Sequence, residues 1–151
     1  MNKFFIKYLT ILIFISSCGY NPIFSNKNSN FSIKEVSSTG NKKLNIIINS
    51  KLNNYQGVDA EKVISVSINT NLNKEISSKD TKGNPKTFRI EVKSKTIITD
   101  SNGNVKEKLF SKSTNYNNLA NKFELKKFEN ETAKNLAEKI SEEIVVYLYD
   151  Y

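Results

Sequence analysis

The sequence predicts an α+β domain, a two-layer sandwich in which two helices pack on one face of a mainly antiparallel four-stranded sheet, in the order β-α-β-β-β-α. Three observations lead there. Apolar residues recur at threes and fours in two segments, Leu44 to Tyr55 and Leu125 to Leu148, the spacing of one-faced helices. From Val63 the period drops to two, the mark of a half-buried strand. Asn102-Gly103 then separates two strand-like runs, a tight-turn signal that makes neighbours antiparallel. Two helices with one apolar face each want the same side of such a sheet, which leaves its other face polar.

Taken in order, Phe31, Ile33 and Val36 begin a short strand that Ser37, Ser38, Thr39 and Gly40 close. Thr39 or Asn41 can cap the helix that follows. Its apolar positions are Leu44, Ile47, Ile48, Leu52 and Tyr55, and Gly57 is expected to end it. The β-branched isoleucines lower its helix propensity, so packing has to carry it. In the next strand Ile64, Val66, Ile68, Thr70 and Leu72 face one way, and Ser65, Ser67, Asn69 and Asn71 the other. After a loop with Gly83, Asn84 and Pro85, Phe88, Ile90 and Val92 alternate against Arg89, Glu91 and Lys93, and the strand runs on to Ile98. The partner strand, Val105 to about Tyr116, alternates poorly because Leu109 and Phe110 are adjacent, which predicts a bulge or an exposed aromatic. The last helix shows Leu125, Phe128, Thr132, Leu136, Ile140, Ile144 and Tyr147 on one face, joined by Ala133, Ala137 and Leu148. Glu131, Lys134, Glu138, Lys139, Glu142 and Glu143 fill its wet side.

Ahead of this domain, Lys3 and Lys7 precede an apolar run, Leu9 to Ile15, and the small residues Ser16 and Ser17 lead into Cys18, the only cysteine. Charged start, apolar middle and small residues at the cut are the layout of a secretory signal peptide. Ending in a cysteine, the pattern resembles the bacterial lipobox, in which the thiol is alkylated with diacylglycerol and becomes the new N-terminus. Two other readings stand beside it. A permanent membrane helix needs about 20 apolar residues, more than this run holds. An ordinary buried thiol leaves a lone cysteine in an exported chain without a use. The expected organisation is a signal peptide over 1–17, a lipidated tether over 18–30 and a single α+β domain over 31–151.

Composition and chemistry narrow the function. The net charge of +8 becomes +6 once Lys3 and Lys7 are cut away, a balance that favours anionic partners. The heavy use of Asn, Lys, Ile and Ser weakens that inference, and export argues against nucleic acid. No histidine exists, so there is no imidazole base and no histidine metal ligand. The carboxylates Glu91, Glu138, Glu142 and Glu143 belong on wet strand and helix faces. Asp59, Glu61 and Asp80 lie in loops with no second acidic cluster at metal-ligand spacing. Lys82-Gly83-Asn84-Pro85 lacks the glycine spacing of a phosphate loop, and no serine-based catalytic set is visible. The expectation is a protein that is not an enzyme and that uses no metal or cofactor.

The run Cys18-Gly19-Tyr20-Asn21-Pro22-Ile23-Phe24 resembles the mature N-terminus of the LPS-assembly lipoprotein family, the small partner of the outer-membrane lipopolysaccharide translocon barrel. The strand opening Thr87-Phe88-Arg89, the hairpin Asp100 to Val105, the strand end Ser113 to Asn117 and the helix from Ala133 to Leu148 are similar to that family in the same order. The resemblance implies a lipoprotein of the outer membrane, on its periplasmic face, that assembles with and plugs a lipopolysaccharide-transport β-barrel and supports insertion of lipopolysaccharide. It implies the barrel and the glycolipid as partners. Arg89, Lys93 and Lys95 on the open sheet face, with Lys106 and Lys108 around the hairpin, are then candidates to meet the glycolipid phosphates. Exterior lysines also keep a sheet face wet and an edge unpaired with no ligand at all. The alternatives are a free-standing periplasmic lipoprotein acting as a carrier or secretion-system pilot, which would need an apolar groove, and a surface adhesin or structural lipoprotein. Mass spectrometry of membrane-extracted protein should find an acylated species that begins at Cys18; an intact Met1 or an unmodified thiol would end the lipoprotein reading.

Overall fold

Parallel strands need a crossover of a dozen or more residues, and this chain meets that demand at once. The computed structural model describes residues 29–151; Cys18, the signal peptide and most of the tether lie outside them. β1 (Phe31–Gly40) pairs in parallel with β2 (Lys62–Lys79), and α1 (Lys42–Asn53) makes the crossover. β3 (Pro85–Asp100) and β4 (Val105–Asn117) then add antiparallel partners, so the sheet order is β1-β2-β3-β4. α2 (Lys122–Asp150) closes the chain. The architecture is the expected one, two helices on one face of a mostly antiparallel sheet.

The turn out of β1 rests on one backbone contact. Gly40 has φ +88°, and a Cβ there would lie 2.2 Å from the carbonyl oxygen of Thr70. That oxygen accepts a 2.7 Å bond from the Asn41 N–H, and the Asn41 side chain caps α1 by accepting from the Leu44 N–H. Asn41 is therefore the cap, not Thr39. α1 stops at Asn53, before the expected glycine; Tyr55 and Gln56 close single turns onto Leu52 and Asn53, and Gly57 sits in the following loop.

Leu44, Ile48 and Leu52 of α1 and Leu136, Ile140, Ile144 and Leu148 of α2 bury against Ile64, Val66, Ile68, Ile90, Val92 and Ile98 of the sheet. β1 runs to Gly40, past the expected stop at Ser37, and its bulge places Lys34 as the extra residue between the pairs Ile33–Ile64 and Glu35–Ser65. No bulge interrupts β4. Phe110 is buried opposite Ser94 and Leu109 is exposed opposite Lys95, so the two adjacent apolar residues simply occupy opposite faces. Leu72 and Phe128, counted with the core faces, are 42% and 47% exposed: Leu72 lies on the part of β2 that extends past α1, and Phe128 packs one side of its ring on Tyr116, with centres 5.6 Å apart.

The two hairpins are built alike. Asp80-Thr81-Lys82-Gly83-Asn84 and Asp100-Ser101-Asn102-Gly103-Asn104 each set an aspartate Oδ1 between two backbone N–H groups at 2.8–2.9 Å and a glycine at φ +84° or +82°. Bonds from Asn84 and Asn104 hold the respective aspartates below the usual carboxylate range.

Replacing Leu136 by Ala should cost about 2–5 kcal/mol in urea titration, whereas Lys139→Ala should cost almost nothing. Gly40→Ala should lose about 1–3 kcal/mol from backbone strain alone, more with the Thr70 clash.

Candidate functional site

The expected contact residues do not form one surface. In β3, Ile90, Val92, Ser94, Thr96 and Ile98 turn toward the helices and are buried, so Arg89, Lys93 and Lys95 lie on the open face. Each is engaged there. Arg89 donates to Ser113 Oγ at 2.7 Å and lies 3.9 Å from Glu75. Lys93 pairs with Glu91 at 3.1 Å, and Lys95 with Glu107 at 2.8 Å. Lys93 and Ser111 hold the Glu91 carboxyl below its ordinary value. Glu35 of β1, opposite Ser65, adds a fourth carboxylate to the strands of this face. The open face is balanced and wet, not a cationic patch.

Lys106 and Lys108 project from the other side of the sheet, because they pair with Ile98 and Thr96. Lys106 stands 4.5 Å from the ring centre of Tyr151, and Lys108 4.0 Å from that of Tyr147. Lys62 lies 3.9 Å from the centre of the same Tyr151 ring, and burial lowers its pKa, with Lys106 adding repulsion. Among the described residues neither Lys106 nor Lys108 has a carboxylate within 4 Å. Between this side of β4 and α2 runs an open groove of about 740 Å³, lined by Lys108, Phe110, Lys112, Glu143, Val146 and Tyr147 among others.

Along its length the domain is polarised. At one end Phe31, Tyr55 and Tyr149 form an aromatic cluster, with ring centres 5.1–6.1 Å apart, and Asn30 donates to the Tyr149 carbonyl. This packing pins the point where the tether enters the sheet. Lys42 and Lys43 stand at the start of α1, level with the middle of β2, and beyond them at the other end lie Lys79, Lys82 and Lys86 at the β2–β3 turn and Lys122, Lys126 and Lys127 at the start of α2. Only Asp80 and Glu124 oppose them within those segments, and none of the eight lysines has a carboxylate within 4 Å among the described residues. Phe123, 75% exposed, sits among them. The sequence reading missed this cluster. Its signal was present: cations in the first turn of a helix oppose the macrodipole, and α1 opens Lys42-Lys43 with no acidic residue in that turn.

Between the ends, Glu129 ties α2 to the sheet, accepting from Lys74 at 2.5 Å and from the Tyr116 hydroxyl at 2.8 Å. Among the described residues no cluster of three or more metal-ligating side chains occurs, and no helix is long and apolar enough to cross a membrane.

By sequence the chain matches no family model and no curated protein. By structure it is similar to the rare lipoprotein B of Shewanella oneidensis (15% identity, TM-score 0.56, 75% of this chain and 95% of that one). It is also similar to a minor lipoprotein of Acinetobacter baumannii (13%, 0.57, 78% and 91%) and to lipoprotein B of Nitrosomonas europaea (12%, 0.61, 84% and 88%). At these identities the likeness is one of fold, and these three neighbours are named lipoproteins.

Burial pushes the Tyr55 hydroxyl up to about 12, with Tyr149 adding to the effect, and burial and Glu129 raise Tyr116 as well. A raised folded-state value means that their contribution is whole below pH 10 and is lost as pH climbs through the folded value. Alkaline titration should show Tyr55 and Tyr116 ionising above the ordinary tyrosine range, with urea stability falling only above about pH 10.

Proposed function

We propose that this chain is a lipoprotein of the outer membrane, acylated at Cys18, that seats as a plug inside a lipopolysaccharide-transport β-barrel and supports glycolipid insertion without catalysing a reaction. The observation that carries the reading is the Cys18-to-Phe24 motif in front of a fold shared with proteins named lipoproteins. Physical chemistry supports it in three ways. Barrel lumens are polar, and the open face of this sheet carries serines, asparagines and matched charges. α2 has 29 residues, a rise of about 43 Å at 1.5 Å each, close to the 40–45 Å of a whole bilayer. The lysine-rich end lies opposite the end where the tether enters, so a chain anchored in one leaflet presents its cations toward the other.

On this reading lipopolysaccharide phosphates meet Lys82, Lys122, Lys126 and Lys127, with Phe123 beside the acyl chains, while Arg89, Lys93 and Lys95 face the lumen in their ion pairs. A carrier would want an enclosed apolar cavity; the groove beside α2 is open and edged by Lys112, Lys139, Glu142 and Glu143.

Photo-crosslinkers at Lys93 and Asn102 should trap an outer-membrane barrel, and those at Leu136 and Ile140 should trap nothing. Failure at the exposed positions would favour the free-standing lipoprotein. Reversing Lys122, Lys126 and Lys127 together should weaken lipopolysaccharide binding at least tenfold in low salt, with the gap closing as salt rises. Unchanged binding would remove the glycolipid from this end and leave the plug role standing.

A further inference from the structure

The two edges of the sheet are finished differently. At the β1 edge, Ile33 donates its N–H to the Tyr55 carbonyl at 2.9 Å and bridges to Gln56, and Lys34 bulges out of the ladder beside it. That edge is covered and kinked, two of the ordinary defences against further pairing. β4 has neither. Its register with β3 runs unbroken from Val105–Thr99 to Asn117–Thr87, and among the described residues no other backbone bonds to its outer side.

We propose that β4 accepts an extended segment of a partner chain as a fifth strand, and that this segment carries acidic residues on the face toward α2 and apolar residues on the face away from it. Backbone groups along the edge supply the affinity of such an addition and the two side-chain rows supply its selectivity. The row toward α2 is Lys106, Lys108, Phe110 and Lys112. Lys112 is already paired with Glu143, whereas Lys106 and Lys108 rest on tyrosine rings without a carboxylate. Two acidic side chains spaced two apart on an added strand would stand directly opposite them, with the groove beside α2 leaving room for their stems. On the other side Val105 and Leu109 are 61% and 60% exposed, with Glu107 between them held by Lys95. An apolar residue opposite each would bury both.

The same lysines argue against a second copy paired in the registers that would bring Leu109 to Val105 or to itself. Self-pairing centred on Glu107 sets Lys106 against Lys108, and centred on Leu109 it sets Lys106 against Lys112. Like charges directly opposite one another are destabilising. The inference does not depend on the barrel reading, since any partner with such a segment would serve.

The test uses the full chain in detergent and two synthetic ten-residue peptides, one alternating Glu and Val, the other alternating Lys and Val. The Glu/Val peptide should slow hydrogen exchange across 105–117 and leave β1 unchanged; the Lys/Val peptide should not bind. Lys106→Glu with Lys108→Glu should weaken the first peptide at least tenfold. Val105→Thr with Leu109→Thr, exposed changes that keep the fold by circular dichroism, should weaken it severalfold without altering its charge preference. Equal binding of both peptides, protection away from β4, no protection at all, or self-association of the chain through β4 would each overturn the proposal.

Discussion

Everything in this domain follows from the parallel pairing of β1 with β2. A hairpin cannot join parallel neighbours, so the chain must leave the sheet, cross it and return, and α1 is that crossing. Once α1 lies on one face, that face is where apolar side chains can be buried, and α2 completes the cover over β3 and β4. The crossing starts at a single close approach. Gly40 lies against the Thr70 carbonyl, which in turn holds the Asn41 N–H, so the last residue of the strand, the cap of the helix and the middle of β2 are fixed together. Any side chain at position 40 would push the strand from its neighbour where the helix has to begin.

Much of this was readable because periodicity is local. The alternation in β2 and β3 and the threes and fours of α2 identify most of the core between Ile64 and Leu148, and fail at Leu72 and Phe128, which stay half exposed. What escaped was long-range. Gly40 reads as a strand end, and nothing nearby in sequence reveals the carbonyl of Thr70. The faces of β4 escaped for another reason. The hairpin closes about Asn102, so Ile98, four before it, meets Lys106, four after it. The buried row of β3 therefore dictates that Lys106, Lys108, Phe110 and Tyr116 share the helix side. Judged by its own alternation, β4 looks irregular; judged across the turn, it is regular, and Lys106 and Lys108 separate at once from Lys93 and Lys95.

The distribution of charge is as informative as its sum. Of 23 basic residues, Lys3, Lys7 and Lys27 precede the described region, leaving 20 against 15 acidic ones. The excess collects at the starts of both helices and at the β2–β3 turn. Lysines at 42, 43 and 122 sit against the positive ends of two helix dipoles, an arrangement that costs a few tenths of a kcal/mol or more at each position. A chain rich in lysine by composition alone would scatter them. Those at the β2–β3 turn and the start of α2 lie at the end away from the tether and concentrate positive potential there, and one exposed phenylalanine, Phe123, adds an apolar element to it.

The open face makes the opposite argument. Its cations are matched by carboxylates on the same strands, and its remaining side chains are mostly short and polar, so away from Val105 and Leu109 at the β4 edge little apolar surface is available to drive adhesion. Such a face associates through water and through many weak polar contacts, and bridging waters at an interface cost little compared with direct bonds. A polar enclosure suits it better than a greasy partner. Among the described residues the free edge of β4 then offers a directional, backbone-bonded contact, and its lysines restrict which chain can make it. The domain combines a smooth wet face, a selective edge and a charged far end, each built from the residues that the burial of the single helix-covered face left over.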